Sequence, residues 1–367
     1  MKKYCFIFLF NLFLFGCASD NFENIDPNNH RIVGESFVLS NTTQNHLIKK
    51  RITNLILYSI GSNRERIYYK ENVDYVVNQN RINRTLDSSI PDFSNHIVYR
   101  NVDDTFTFSS SPRNPSLTIP FHVYADYDFQ DVETVFGKFN EGFLSPRFKD
   151  KLKNKKIIKI GTIGTSITAG AHTMEQFYHD SDSQTYPYLT AKALKNVYGS
   201  DCFVTNYSKS GSSIGHVFNS IPQILKDKND VVFIEFGMND HINYNWDIGL
   251  NDFKKNMDVL IKMFKGNDTE VILVGFFQQN PSWDLEFVGS TVRYNEVINN
   301  LAVKYDCYFA DIYKEFSKYS QSKINQDLCG DFIHHPTSFG HLLYYKTIIP
   351  LFLDKELNDG FVYNLLD

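Results

Sequence analysis

From residue 157 onward, apolar runs and amphipathic stretches alternate. Residues 157–163, 202–206, 231–236, 271–277 and 307–311 are short runs rich in β-branched and aromatic side chains, as expected of buried strands. Between them, residues 186–197, 250–264 and 291–305 repeat apolar side chains at helical spacing, and 338–352 closes the chain as a further helix. Such alternation predicts a parallel sheet with crossover helices, a three-layer α/β/α arrangement. The pattern over 33–130 is different. Segments at 36–39, 55–58, 74–77, 96–99 and 121–124 are short and separated by Asn, Ser, Gly and Pro clusters. No long stretch of period 3.6 interrupts them, which predicts a smaller all-β sandwich. Within it, 73–77 and 83–85 predict a hairpin. Residues 131–156 are charged and end in Lys151-Leu152-Lys153-Asn154-Lys155-Lys156, a run that suggests a solvated approach to the first strand of the parallel sheet.

The start of the chain has its own pattern. Lys2 and Lys3 precede an apolar stretch over 4–15, shorter than the ~20 residues that span a bilayer. It closes on Leu14-Phe15-Gly16-Cys17. This resembles a bacterial lipoprotein signal, which implies lipidation at Cys17, and Ala18 after it implies onward transfer to the outer membrane. The expected organisation is therefore a signal over 1–17, an Asn-rich tether over 18–32, a β-sandwich-like accessory domain over 33–135 and an α/β domain over 150–367.

Bulk properties change this picture little. A chain of 367 residues accommodates two domains. A net charge of −5 gives no basic footprint, so nucleic acid is not an expected partner. Of the five cysteines, Cys5 lies in the signal and Cys17 is the lipidation candidate. Cys202, Cys307 and Cys329 have no metal-like spacing, and both a disulfide and buried free thiols remain open.

The candidate chemistry sits at the ends of the predicted strands. Gly164-Thr165-Ser166 follows 157–163, so a hydroxyl stands at a strand tip, where an open α/β sheet presents reactive groups. The P-loop ending Gly-Lys-Ser/Thr is missing, and Thr168 occupies the second glycine of a nucleophile elbow. Gly211 follows the second strand, where a glycine backbone N–H can approach an oxyanion. Asn239, in Gly237-Met238-Asn239-Asp240, supplies a side-chain amide for the same purpose, with Asp240 structural and His241 expected at the rim. Asp331-Phe332-Ile333-His334-His335-Pro336 precedes the last helix, and a carboxylate three or four residues from an imidazole can orient it as a general base. A metal site from His334, His335 and His341 lacks a carboxylate at a familiar spacing, so neither metal nor cofactor is implied.

Taken in order, Ser166, Gly211, Asn239 and the Asp331/histidine pair resemble the four blocks of the SGNH, or GDSL-type, hydrolases, over roughly 157–352. The resemblance implies a flavodoxin-like α/β/α fold and ester hydrolysis by a Ser166–His–Asp331 triad. It also implies an oxyanion hole from Ser166, Gly211 and Asn239. Two departures stand out. Thr165 replaces the family's Asp before the nucleophile, and the Asp-x-x-His spacing selects His334 whereas His-Pro-Thr-x-x-Gly, ending at Gly340, selects His335. The register relative to the final helix favours His335, with His334 as its rival. Location and resemblance together suggest removal of O-acetyl groups from a carbohydrate, with Tyr244, Trp246 and Trp283 as aromatic candidates for the rim. Three alternatives stay open: a lipase-type esterase with an apolar acyl groove, an acyltransferase using the same catalytic residues, and an inactive glycan-binding lipoprotein, against which the intact Ser166, Asn239, Asp331 and histidine argue.

Overall fold

The computed structural model describes residues 30–41, 44–95, 118–173, 184–241, 249–280, 290–319 and 326–366. The leader, most of the tether, the segment at 96–99 and Tyr244, Trp246 and Trp283 lie outside the described residues.

Among the described residues, the first elements are antiparallel β structure. Strands β1 (His30–Phe37), β3 (Ile52–Ile60), β4 (Arg66–Tyr68) and β7 (Val123–Phe129) form one sheet in the order β1-β7-β3-β4. Strands β2 (Gln44–His46), β5 (Tyr75–Asn78) and β6 (Arg81–Arg84) form a second, in the order β2-β6-β5. The predicted hairpin is β5–β6, where Asn78 pairs with Arg81 across a two-residue turn and Gln79 takes φ +60°. Phe37, Leu57, Val123 and Tyr127 from this region are buried in the same hydrophobic core as Leu351 and Phe361 near the C-terminus. Lys49 reaches across that seam to Asp359 at 2.7 Å, both side chains almost wholly buried.

The connector is more ordered than its charge suggests. Strand β8 (Thr134–Val135) pairs with β14 (Leu357–Asn358), and helix α1 (Pro146–Lys153) extends into the start of the lysine run, whose remainder, 153–156, is exposed as expected. Ser145 caps it by accepting from the Phe148 N–H, and Pro146 fills the first turn, where no N–H is needed. Phe148 and Leu152, four residues apart, bury one face, while Lys151 pairs with Asp230 at 2.5 Å. Lysines dominated the sequence signal here because they line the helix's outer face.

The α/β part follows the predicted rhythm. Strands β9 (Ile158–Gly164), β10 (Cys202–Asn206), β11 (Val231–Glu235), β12 (Glu270–Val274) and β13 (Tyr308–Ala310) form a five-stranded parallel sheet in the order β10-β9-β11-β12-β13. Central strand β11 is buried throughout, which explains its apolar run over 231–234, whereas edge strand β10 alternates exposed and half-buried positions. Helices α2 (Tyr186–Tyr198), α3 (Ile221–Lys226), α4 (Leu250–Lys265), α5 (Ser290–Tyr305) and α6 (Ile312–Ser317) connect or follow the strands. Helix α7 (Ser338–Ile348) packs against α2, and α8 (Asp359–Asn364) ends the chain beside β1. Chain order reverses between β9 and β11, the place where open α/β sheets leave a crevice beyond their carboxyl ends. Cys202, Cys307 and Cys329 are all free thiols, so the disulfide alternative drops out among them. Among the described residues no helix is long and apolar enough to cross a membrane.

Candidate active site

Ser166 sits in the turn that leaves β9, directly at the crevice. The turn closes through Ala169 N–H on Thr165 O and Ala171 N–H on Ser166 O. Thr165 supports the turn from its own side chain: its Oγ1 accepts the Ile167 N–H at 3.2 Å, a side-chain turn around the nucleophile. A carboxylate is nevertheless present. Glu235, opposite Gly164 on β11, accepts through Oε2 from the Thr165 N–H (3.1 Å), the Thr165 hydroxyl (2.8 Å) and the Thr168 hydroxyl (2.9 Å). Sequence reasoning missed this residue. The only signal was a charged side chain inside an otherwise apolar strand, which is costly unless satisfied.

Burial raises the Glu235 carboxyl to about 7, against the pull of the Thr165 and Thr168 donors. The native state therefore holds this proton up to about pH 7, while an unfolded chain releases it near the ordinary 4.5. The stabilisation is complete below that lower value and is lost as pH rises through about 7. Glu235→Gln keeps an acceptor for the turn and removes the titration. Between pH 4.5 and 8 the stability of the wild type relative to this variant should fall by roughly 3 kcal/mol, measured by urea unfolding. Equal pH slopes in the two proteins would contradict the assignment.

Asp331 and His335 come from the loop before α7. Asp331 is nearly fully buried, and its Oδ1 accepts three successive backbone N–H groups, from Ile333, His334 and His335. Its Oδ2 lies 2.5 Å from His335 Nδ1, and His335 Nε2 lies 2.7 Å from Ser166 Oγ. The tautomer that fits carries its proton on Nδ1, donated to Asp331, and accepts the serine hydroxyl at Nε2. Burial opposes the Asp331 charge. The His335 charge and hydrogen bond, then His334 and His172, outweigh it and hold the carboxyl well below the ordinary range. Phe332, between Asp331 and the histidines, takes φ +65°, an uncommon conformation for a bulky residue. Gly340 is required by close packing: a Cβ there would stand 2.6 Å from Pro336 Cβ and 3.1 Å from Leu328 O.

His334 is placed differently. Its ring is buried and tilted against His335, with centroids 4.1 Å apart. Burial first, then the neighbouring His335, pushes its imidazole well below the usual histidine range. Hence of the two histidines, His335 is the one at Ser166.

Gly211 and Asn239 stand on the loops after β10 and β11, which flank β9. Gly211 is exposed with φ +74°, and no neighbouring atom crowds the space a Cβ would take. One N–H of the Asn239 amide is donated to Ser212 O at 2.8 Å, leaving the second for a ligand. Asp240 ties the same loops together by accepting from the Ile214 and Gly237 N–H groups. His241 is not at the rim as expected. It is buried, with Nδ1 2.9 Å from Gly237 O and Nε2 2.9 Å from the Gln279 side-chain amide, and burial lowers its pKa. Its position beside Asp240 on a tight turn directs the ring inward.

A further histidine escaped the sequence reading. His172, half-buried and in a left-handed conformation (φ +62°), stacks on His335 with centroids 4.5 Å apart and planes 25° apart. Ligand atoms of His172, Asp331 and His335 all lie within 4.8 Å of one another. Stacked rings send their lone pairs along near-parallel lines, whereas a zinc ion needs them to converge at about 2.0–2.1 Å. The cluster therefore suits proton transfer better than metal ligation.

A parallel sheet with a serine–histidine–aspartate relay at its switch point defines a hydrolase-type α/β domain. Residues 162–343 match the GDSL-like Lipase/Acylhydrolase family, a match that supports an ester hydrolase. Similar solved structures include Axe2, an acetylxylan esterase from Geobacillus stearothermophilus, at 19% identity, covering 52% of this chain and 92% of that one, with a TM-score of 0.44. Another is LAE5, an alpha/beta hydrolase enzyme from the metagenome of Lake Arreo, Spain, at 18% identity, covering 57% and 96%, with a TM-score of 0.44. Compared with curated proteins, the chain has no match.

Proposed function

We propose that the protein is a serine ester hydrolase that removes small acyl groups, O-acetyl above all, from a carbohydrate, and that a lipid on Cys17 anchors it to the cell envelope, in the outer membrane. The observation that carries the catalytic part is the unbroken relay from Ser166 Oγ through His335 to Asp331, at 2.7 and 2.5 Å. Ser166 attacks the ester carbonyl while His335 Nε2 takes its proton, and Asp331 steadies the resulting imidazolium. The backbone N–H groups of Ser166 and Gly211 and the Asn239 amide hold the oxyanion. His335 then returns the proton to the departing alcohol. A water activated by the same nitrogen releases the acid and frees Ser166. Support for the substrate and the location comes from the Lys2–Lys3 leader ending in Gly16-Cys17 and from the resemblance of the four blocks.

Acyl-chain selectivity tests the substrate class. Acetyl esters should be turned over at least about tenfold faster than octanoyl esters, because a longer chain gains only where an apolar groove receives it. Acetate release from an acetylated oligosaccharide, followed beside chromogenic acetyl, butyryl and octanoyl esters, measures this. A preference for octanoyl esters would instead identify a lipase-type enzyme.

A further inference from the structure

The loop carrying Asp331 and His335 is held largely from outside the α/β part. Thr118, fully buried, donates its hydroxyl toward Cys329 O (2.7 Å) and Gly330 O (2.6 Å), and its N–H to Gly330 O. One turn earlier, Asp327 is buried and accepts from the Val38 N–H (2.8 Å) and from Asn45 Nδ2 (3.1 Å to each oxygen). Ser36 donates to Asp327 O at 2.6 Å and meets Thr337 Oγ1 at 2.9 Å. Phe332, the left-handed residue between Asp331 and His335, packs in a small cluster with Val38 and Phe93, with Phe121 against it. The α/β part contributes Asn280, whose N–H and side chain donate to Ile333 O and Phe332 O. Every β-region residue named here precedes the first strand of the parallel sheet.

We propose that the N-terminal β region is a working part of the active site, and that Thr118 is a positioning residue for the Asp331–His335 pair. The proposal rests on the triad reading above. A left-handed bulky residue is held only where its surroundings over-determine it. Gly330, which Thr118 grips, immediately precedes Asp331, and Phe93 packs on the strained residue after it. Loosening this grip lets the loop relax around Phe332 and moves the imidazole relative to Ser166 Oγ. A displacement of about 1 Å at such a distance costs up to about 100-fold in rate. The β region is thus more than an appended binding module.

The test uses the full chain. Thr118→Val keeps the shape and removes the hydroxyl, and Thr118→Ser restores it. Thr118→Val should lower kcat on an acetyl ester by about 10- to 100-fold with KM changed less than about twofold. The acid limb of its pH–rate profile should also move, and Thr118→Ser should recover most of both. A role in stability alone would lower the unfolding midpoint and leave the kcat and pH profile of the folded protein unchanged. If Thr118→Val does not fold, Asn45→Ala, which removes the half-buried side-chain donor to Asp327 and leaves the Val38 N–H bond, carries the test with the same readouts. Ser166→Ala runs alongside. Wild-type kcat and pH profile in Thr118→Val, with Ser166→Ala inactive, would overturn this proposal and leave the triad standing. Full activity in Ser166→Ala would remove the triad reading itself.

Discussion

His335→Ala should lower ester turnover by about 10⁴-fold or more, while His334→Ala should stay within about tenfold of the wild type. The two side chains are adjacent in sequence and chemically identical, so the contrast isolates their surroundings. His335 has Nε2 at 2.7 Å from Ser166 Oγ and Nδ1 at 2.5 Å from Asp331. Without it, neither proton acceptor nor imidazolium exists, and only oxyanion donors and substrate binding remain. His334 supports the site through its ring, packed 4.1 Å from His335, so its loss leaves a packing defect beside the base. Its buried, depressed imidazole is a poor proton acceptor. Steady-state turnover of an acetyl ester by the two variants decides the matter. Full rate in His335→Ala with an inactive His334→Ala would reverse the assignment.

Ser166→Ala should be at least as severe, with a loss of about 10⁵- to 10⁶-fold in kcat and little change in KM. Nothing else in the turn can replace it. The neighbouring hydroxyls of Thr165 and Thr168 are fully buried and committed to Glu235. The variant should fold normally, because the hydroxyl contributes no bond to the turn: that is closed by backbone groups and by Thr165 Oγ1.

Much of the fold was legible because strand burial and helix amphipathicity write themselves into residue periodicity. Strand β11 and helix α4 are found within a residue or two of their expected ends. Helix α1 was hidden because only Phe148 and Leu152 face the core, a stripe too short to stand out among lysines. At the site, Ser166 was singled out by its place at a strand end, while its grouping with Asp331 and His335 was expected from the family resemblance, and the structure brings the three side chains together. Glu235 and His172 were not. Their roles depend on which strand lies beside β9 and on how two distant loops meet, and neither fact has a local sequence signature. The buried position of His241 is the reverse case, where a polar residue beside a loop motif suggested exposure that the turn does not give. The continuous core shared by the β region and the C-terminal helices is likewise a tertiary fact, invisible to a reading that separates segments by their local period.

The proposed chemistry requires that Ser166 be the nucleophile, activated by His335. Reaction of the protein with a fluorophosphonate, followed by mass spectrometry of the digested chain, tests it most directly. One adduct per chain is expected, on Ser166, formed far more slowly in His335→Ala and absent in Ser166→Ala. An adduct mapped to another residue, or no adduct under conditions where an ester is being turned over, would contradict it.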